Sequence, residues 1–149
     1  MPRSTIFLPD VNVWLALASQ RHVHAGLCGA WLKSMDSAEV NFCRVTQMGL
    51  LRLLTNEAVM GGDVLASGDA WRVYRNILTD DRIHFAPEPY ALESEWRKLT
   101  SQDRPTPKIW TDAYLAAFAR AAGMRLVTLD RAALAIAAEA VLLKPPAAS

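Results

Sequence analysis

The sequence predicts an α/β protein in which a parallel β-sheet carries helices on both faces. Three observations lead there. The short runs Ile6-Phe7-Leu8, 40–43 and 124–128 are mostly apolar, interrupted by Asn41 and Arg125, and lack the sustained alternation of a strand with one wet face. Between them, apolar residues recur at helical spacing. A length of 149 residues, 52% hydrophobic and 21% charged, suits one domain with one core and argues against a disordered or fibrous chain.

Taken in order, Ile6-Phe7-Leu8 reads as a buried strand closed by Pro9-Asp10, with helical patterning over 12–18. A second helix is predicted over 22–35, with Val23, Leu27, Ala30 and Trp31 on one face. Residues 40–43 form the next strand. Thr46 is the expected N-cap of a helix carrying Met48, Leu50, Leu51, Leu53 and Leu54, and Asn56 ends it. That helix is apolar nearly all round, so part of it is expected to face a partner.

Gly61-Gly62 marks a loop, Trp71, Tyr74 and Leu78 follow helical spacing, and 82–85 reads as a short strand. Pro87 and Pro89 break the chain before a helix carrying Leu92, Trp96 and Leu99, and 100–107 is a polar loop. The helix over 108–122 has Thr111 as its expected cap and Gly123 as its left-handed stop. A strand over 124–128, a turn at Leu129-Asp130-Arg131, a helical stretch over 132–138 and an edge strand over 141–143 complete the pattern. The expected layout is one domain over 1–144 and a frayed tail over 145–149.

Charge does not reveal a partner. Sixteen Lys and Arg stand against fifteen Asp and Glu, so there is no global positive field, although acids gathered around a metal would mask basic residues elsewhere. Cys28 and Cys43 are too few for a disulfide scaffold and lack metal-ligand spacing, which predicts reduced, partly buried thiols. The N-terminus has no apolar signal region and no segment approaches the length of a membrane span, so the expectation is a cytoplasmic protein without a membrane partner.

Parallel α/β sheets bind ligands outside the C-terminal ends of their strands. Asp10 follows the first strand, Asp130 follows the strand over 124–128, and Asp112 lies in the first turn of the helix that feeds that strand. Chain direction therefore sends all three carboxylates to one rim. An Asp after a strand is often a turn residue, and an Asp in a first helical turn often only favours the dipole, but three on one rim by accident is a much rarer event. Two unit charges about 4 Å apart repel by roughly 4 kcal/mol at an effective dielectric near 20. A hard divalent cation, Mg2+ or Mn2+, is the natural neutraliser, and such an ion can orient a water for attack on a phosphodiester.

The segments Pro9-Asp10-Val11-Asn12-Val13-Trp14-Leu15-Ala16-Leu17, Phe42-Cys43-Arg44-Val45-Thr46-Gln47 through Leu51-Arg52-Leu53-Leu54-Thr55-Asn56, Trp110-Thr111-Asp112-Ala113-Tyr114-Leu115-Ala116, and Leu126-Val127-Thr128-Leu129-Asp130-Arg131 resemble the PIN-domain toxins called VapC. The resemblance spans nearly the whole chain. It implies a PIN-like, Rossmann-like sheet, a Mg2+- or Mn2+-dependent endoribonuclease, inhibition by a VapB-type antitoxin, and a homodimer. Asp10, Asp112 and Asp130 match the family's acidic positions, and Thr128 matches its hydroxyl residue two before the last acid. The family's remaining acid, a Glu early in the helix after the second strand, has no counterpart here. Thr46, Gln47, Met48, Gly49 and Leu50 hold no carboxylate, and Gln47 is the candidate substitute, offering an amide oxygen to the metal or its water.

Asn12 is a candidate for orienting Asp10, against the plainer reading of a helix N-cap. Arg44, Arg52, Lys108 and Arg131 lie near the rim as candidates for RNA phosphates, although each alone reads as a solvated surface charge. His22, His24 and His84 pair with no nucleophile and receive no role. The tryptophans Trp14, Trp31, Trp71, Trp96 and Trp110 read as core or interface groups. The alternative to an active enzyme is a catalytically weakened PIN-like module that binds RNA or its antitoxin. A phospho-receiver domain is disfavoured by the lack of an adjacent acidic pair near the N-terminus.

Overall fold

The computed structural model describes residues 5–145. Five parallel strands, β1 (Ile6–Pro9), β2 (Glu39–Phe42), β3 (Ile83–Phe85), β4 (Arg125–Thr128) and β5 (Val141–Leu142), form one sheet in the order β3-β2-β1-β4-β5. The chain runs outward from the centre to one edge, then crosses back to the other, so β1 and β4 are neighbours and their C-terminal ends meet. Phe7, Leu8 and Pro9 pair with Arg125, Leu126 and Val127. Pro9 has no N–H for the ladder but stands at the strand's last position, and the next residue closes the pairing through its backbone N–H to the Val127 carbonyl at 2.9 Å.

The helices are α1 (Val11–Ala18), α2 (Ala25–Lys33), α3 (Arg44–Leu54), α4 (Glu57–Met60), α5 (Ser67–Ile77), α6 (Leu92–Leu99) and α7 (Trp110–Ala122). Helices α6 and α7 cover one face, where Leu115 and Phe118 pack with Leu8 and Leu126. On the other, Trp14 of α1, Leu50 of α3 and Tyr74 of α5 close over Val40, Phe42 and Ile83. Trp14 stacks on Phe42 with ring centroids 3.7 Å apart, and both are fully buried. Each such side chain contributes roughly 1.5–3 kcal/mol of burial free energy. Both cysteines are free and buried.

The parallel α/β architecture is as predicted, whereas several caps differ. Thr46 is not the N-cap of α3. That position belongs to Cys43, and Thr46 sits one turn in, its hydroxyl accepting the Cys43 N–H at 2.9 Å and donating back to the Cys43 carbonyl at 3.1 Å. A cap residue placed inside the first turn can still serve the helix end by reaching backward. Asn56 does not end α3 but caps α4 through Ala58 N–H. Thr111 is the second residue of α7 rather than its cap, because Ile109 already has helical backbone angles and its carbonyl takes the Ala113 N–H. Gly123 does stop α7 in the left-handed conformation, at φ 69°. The expected helix over 22–35 shortens to α2, and the stretch over 132–138 is a 3-10 turn, Arg131–Ala135. The tail expected over 145–149 lies, apart from Pro145, outside the described residues.

Candidate active site

Asp10 is placed by two backbones at once. It follows β1, so it emerges at the C-terminal rim, and it N-caps α1, its Oδ1 accepting the Val13 N–H at 3.2 Å. Here too the cap differs from the sequence reading, in which Asn12 was the capping candidate. Asn12 lies inside the first turn and is exposed, and the capping bond to Asp10 comes from the Val13 N–H. The second oxygen, Oδ2, accepts the Thr128 hydroxyl at 2.6 Å. Thr128 is fully buried at the end of β4, and its Oγ1 in turn accepts the Asp130 backbone N–H at 3.0 Å. One threonine thus ties the ends of the two central strands together and sets the positions of both aspartates.

Asp130 caps the 3-10 turn after β4, its Oδ1 taking the Ala132 N–H at 2.9 Å. Asp112 comes from the first turn of α7, between the other two in electrostatic terms. Burial pushes the Asp10 carboxyl above its ordinary range, the Thr128 and Val13 bonds pull it down, and the Asp112 charge pushes it up again. Asp112 is raised by burial and by the Asp130 charge. Among the described residues, no Lys or Arg forms an ion pair with any of the three.

Asp10 and Asp112 line a cavity of about 10 Å3, walled by Leu115, Leu126, Ala133 and Ile136. That is room for one water-sized species with a polar side and an apolar floor. Among the described residues, no three His, Cys, Asp or Glu side chains converge closely enough to cage an ion. The acids instead form a chain of neighbouring charges. Such a donor set fits a hard cation like Mg2+, which retains several waters and takes only one or two protein carboxylates directly.

The supporting candidates separate. Gln47 is buried near the end of β2, but its amide oxygen accepts the Arg44 guanidinium at 2.6 Å, so it is engaged by a neighbour on its own helix. The first turn of α3 carries no acid. Arg44, Arg52, Lys108 and Arg131 are all exposed. Sequence reasoning missed the apolar walls of the small cavity and the double duty of Asp10 as helix cap. The signal for the latter was present in an Asp standing immediately before the helical run.

The PIN domain family model matches residues 7–139. Ribonuclease VapC41 of Mycobacterium tuberculosis is 48% identical over 132 residues, covering 85% of this chain and 90% of that protein. Ribonuclease VapC38 of the same organism is 30% identical over 123 residues, covering 83% and 84%. Among solved structures, Mycobacterium tuberculosis VapC20, a sarcin-ricin loop cleaving toxin, superposes with a TM-score of 0.67 at 20% identity, over 95% of this chain and 100% of that one. VapBC2 from Rickettsia felis, bound to a promoter DNA fragment, gives 0.67 at 11% identity over 93% and 97%. With the family model spanning most of the chain and its acids on the strand rim, this chain belongs to the PIN-domain family, among the VapC ribonucleases.

Proposed function

We propose that this chain is a Mg2+- or Mn2+-dependent endoribonuclease that hydrolyses RNA phosphodiester bonds, and that it is the toxin of a pair silenced by a VapB-type antitoxin. The observation that carries the reading is the Thr128 hydroxyl bridging Asp10 and the Asp130 backbone beside Asp112, on the rim where α/β sheets do their chemistry. The cation, held by one or two of Asp10, Asp112 and Asp130 directly and by the others through its waters, would offset the negative charge that develops on the phosphate and favour the ionised form of an attacking water. The rest of the work falls to the chain itself. Thr128 fixes the Asp10 carboxylate. The apolar walls of Leu115, Leu126 and Ile136 flank Asp10, the least exposed of the three acids, which strengthens the charge interactions made there. Arg44, Arg52, Lys108 and Arg131 are exposed cations that can meet RNA, the last three through its phosphates.

The antitoxin assignment draws support from the likeness to toxins solved as VapBC complexes, such as VapBC-1 from nontypeable Haemophilus influenzae. A homodimer would use the exposed apolar groups, among which Met48 is 58% and Trp110 51% exposed. No described helix is long and apolar enough to cross a membrane, and we place the protein in the cytoplasm, where RNA and an antitoxin would meet it. A second reading, a weakened module that binds RNA or antitoxin without cutting, is favoured by the acid-free first turn of α3 and the engagement of Gln47 by Arg44. Incubation with structured RNA separates the two. The nuclease reading requires cleavage with Mg2+ or Mn2+ and none in excess chelator, whereas undiminished cleavage in chelator overturns the metal, and no cleavage at any metal concentration favours the binding module.

A further inference from the structure

One strand over from the acid rim, a groove of about 510 Å3 opens between the start of α3, the segment after β3, and α7. That volume is within the range of small-molecule sites. Its polar groups are arranged without neutralising one another. Arg44 lies with its guanidinium carbon 4.7 Å from the centroid of the Phe85 ring, and the Gln47 amide oxygen holds one of its nitrogens at 2.6 Å. Across the groove, Glu88 accepts the Tyr114 hydroxyl at 3.0 Å. Burial and the neighbouring Glu88 carboxylate both push the Tyr114 phenol upward, so it keeps its proton and donates at neutral pH. Among the described residues neither Arg44 nor Glu88 takes part in an ion pair. The result is a positioned guanidinium fork and a positioned carboxylate, both open to solvent and both flanked by aromatic rings.

We propose that this groove is a nucleobase subsite that selects guanine in the RNA strand presented to the acid rim, with Glu88 and Arg44 as its specificity-determining residues. Guanine offers the N1–H and N2–H donors that a carboxylate can accept side by side, and the O6 and N7 acceptors that suit an arginine fork. Adenine lacks the paired donors, and the pyrimidines lack the fused-ring acceptors. Tyr114 is a positioning residue, holding Glu88 by its hydroxyl. The location fits a neighbouring nucleotide: β2 and β3 lie roughly 5 and 10 Å from β1 at ordinary strand spacing, and the groove opens at the same C-terminal ends of the strands as Asp10.

The inference rests on the RNA reading of the site, so its test reads binding without metal or cleavage. Fluorescence anisotropy of 2′-O-methyl single-stranded hexamers carrying one guanine, inosine or adenine would be measured on the full chain, for the wild type and for Glu88→Gln and Tyr114→Phe. The expected result is guanine binding roughly tenfold tighter than adenine, with inosine between because it lacks the 2-amino group. Glu88→Gln should abolish the preference, so that the guanine and adenine hexamers bind alike, and Tyr114→Phe should weaken it. Equal binding of all three hexamers, or a guanine preference that survives in a natively folded Glu88→Gln protein, overturns the subsite. So does capture of an acidic or basic peptide in place of RNA. Flat binding alongside metal-dependent cleavage would remove this inference and leave the nuclease reading standing, whereas guanine-selective binding without cleavage would do the reverse.

Discussion

The Thr128 hydroxyl donates to Asp10 Oδ2 at 2.6 Å across 118 positions of sequence, so the first and fourth strands are joined at the rim by a side chain as well as by the ladder. Because the same oxygen accepts the Asp130 N–H, Thr128→Val, which preserves shape, would strip a partner from each. Thr128 is fully buried, so the cost should be about 1–3 kcal/mol in denaturant unfolding. Thr128→Ser should recover most of it. Removing a bond that lowers the Asp10 pKa should also move the metal-free Asp10 titration upward, readable by carboxyl NMR. An unshifted titration in Thr128→Val would show that the hydroxyl does not set the Asp10 charge.

A second prediction concerns acid. Arg82 grips Asp80 with two nitrogens, at 3.0 and 2.6 Å, and spends a third on the Leu32 and Met35 carbonyls, pinning the end of α2 to the start of β3. The Arg82 bond holds the Asp80 carboxyl below its ordinary value. A depressed folded-state pKa contributes stability above the unfolded value, about pH 4, and that stability is lost as pH falls through the folded value. Asp80→Asn should therefore lower Tm most at neutral pH, and the gap from wild type should narrow as pH falls below the ordinary carboxylate value. A gap independent of pH would contradict it.

A third follows from helix contact. A Cβ on Gly49 of α3 would stand 2.6 Å from Val11 Cγ2 on α1. Gly49→Ala should thus cost ~1–3 kcal/mol of overpacking, against which helix propensity returns only about 0.5–1 kcal/mol. In a Val11→Ala background the same change should be neutral or stabilising. Additive effects in the double-mutant cycle would show that the two helices do not meet there.

The thiols give a fourth. Burial, with the Asp10 charge as a lesser cause, pushes Cys28 up to about 11, and Cys43 is fully buried as well. Neither should react with a thiol reagent at pH 8 in the native state, and both should react on denaturation. Rapid native labelling of Cys28 would mean that α2 opens readily from the sheet.

Much of this architecture was legible because strand identity and chain direction are carried by short apolar runs: Ile6 to Leu8, 40–43 and 124–128 all became parallel strands, and Asp10 and Asp130 fell where their strands end. The helix ends were less legible, since Thr46 and Thr111 look like caps in sequence but occupy first-turn positions that depend on backbone angles set by Cys43 and Ile109. Gln47 illustrates the same limit. Its position near the rim was readable, yet which neighbour takes its amide oxygen depended on Arg44, three residues earlier on the same helix and free to fold back over it. The Glu88–Tyr114 pair joins residues 26 apart on different elements, and nothing local in the sequence couples them.

The central claim, that Asp10 serves a cation, is tested most directly by the Mn2+-dependent thermal shift of Asp10→Asn beside the wild type. Asn caps a helix about as well as Asp, and the substitution removes a buried charge that Asp112 opposes, so the metal-free Tm should be unchanged or higher. The stabilisation gained on adding Mn2+ should shrink sharply, because a ligand stabilises only in proportion to its affinity for the native state. RNA cleavage should be abolished with it. An Asp10→Asn protein that keeps the full Mn2+ shift and cuts RNA would remove Asp10 from the site and contradict the account.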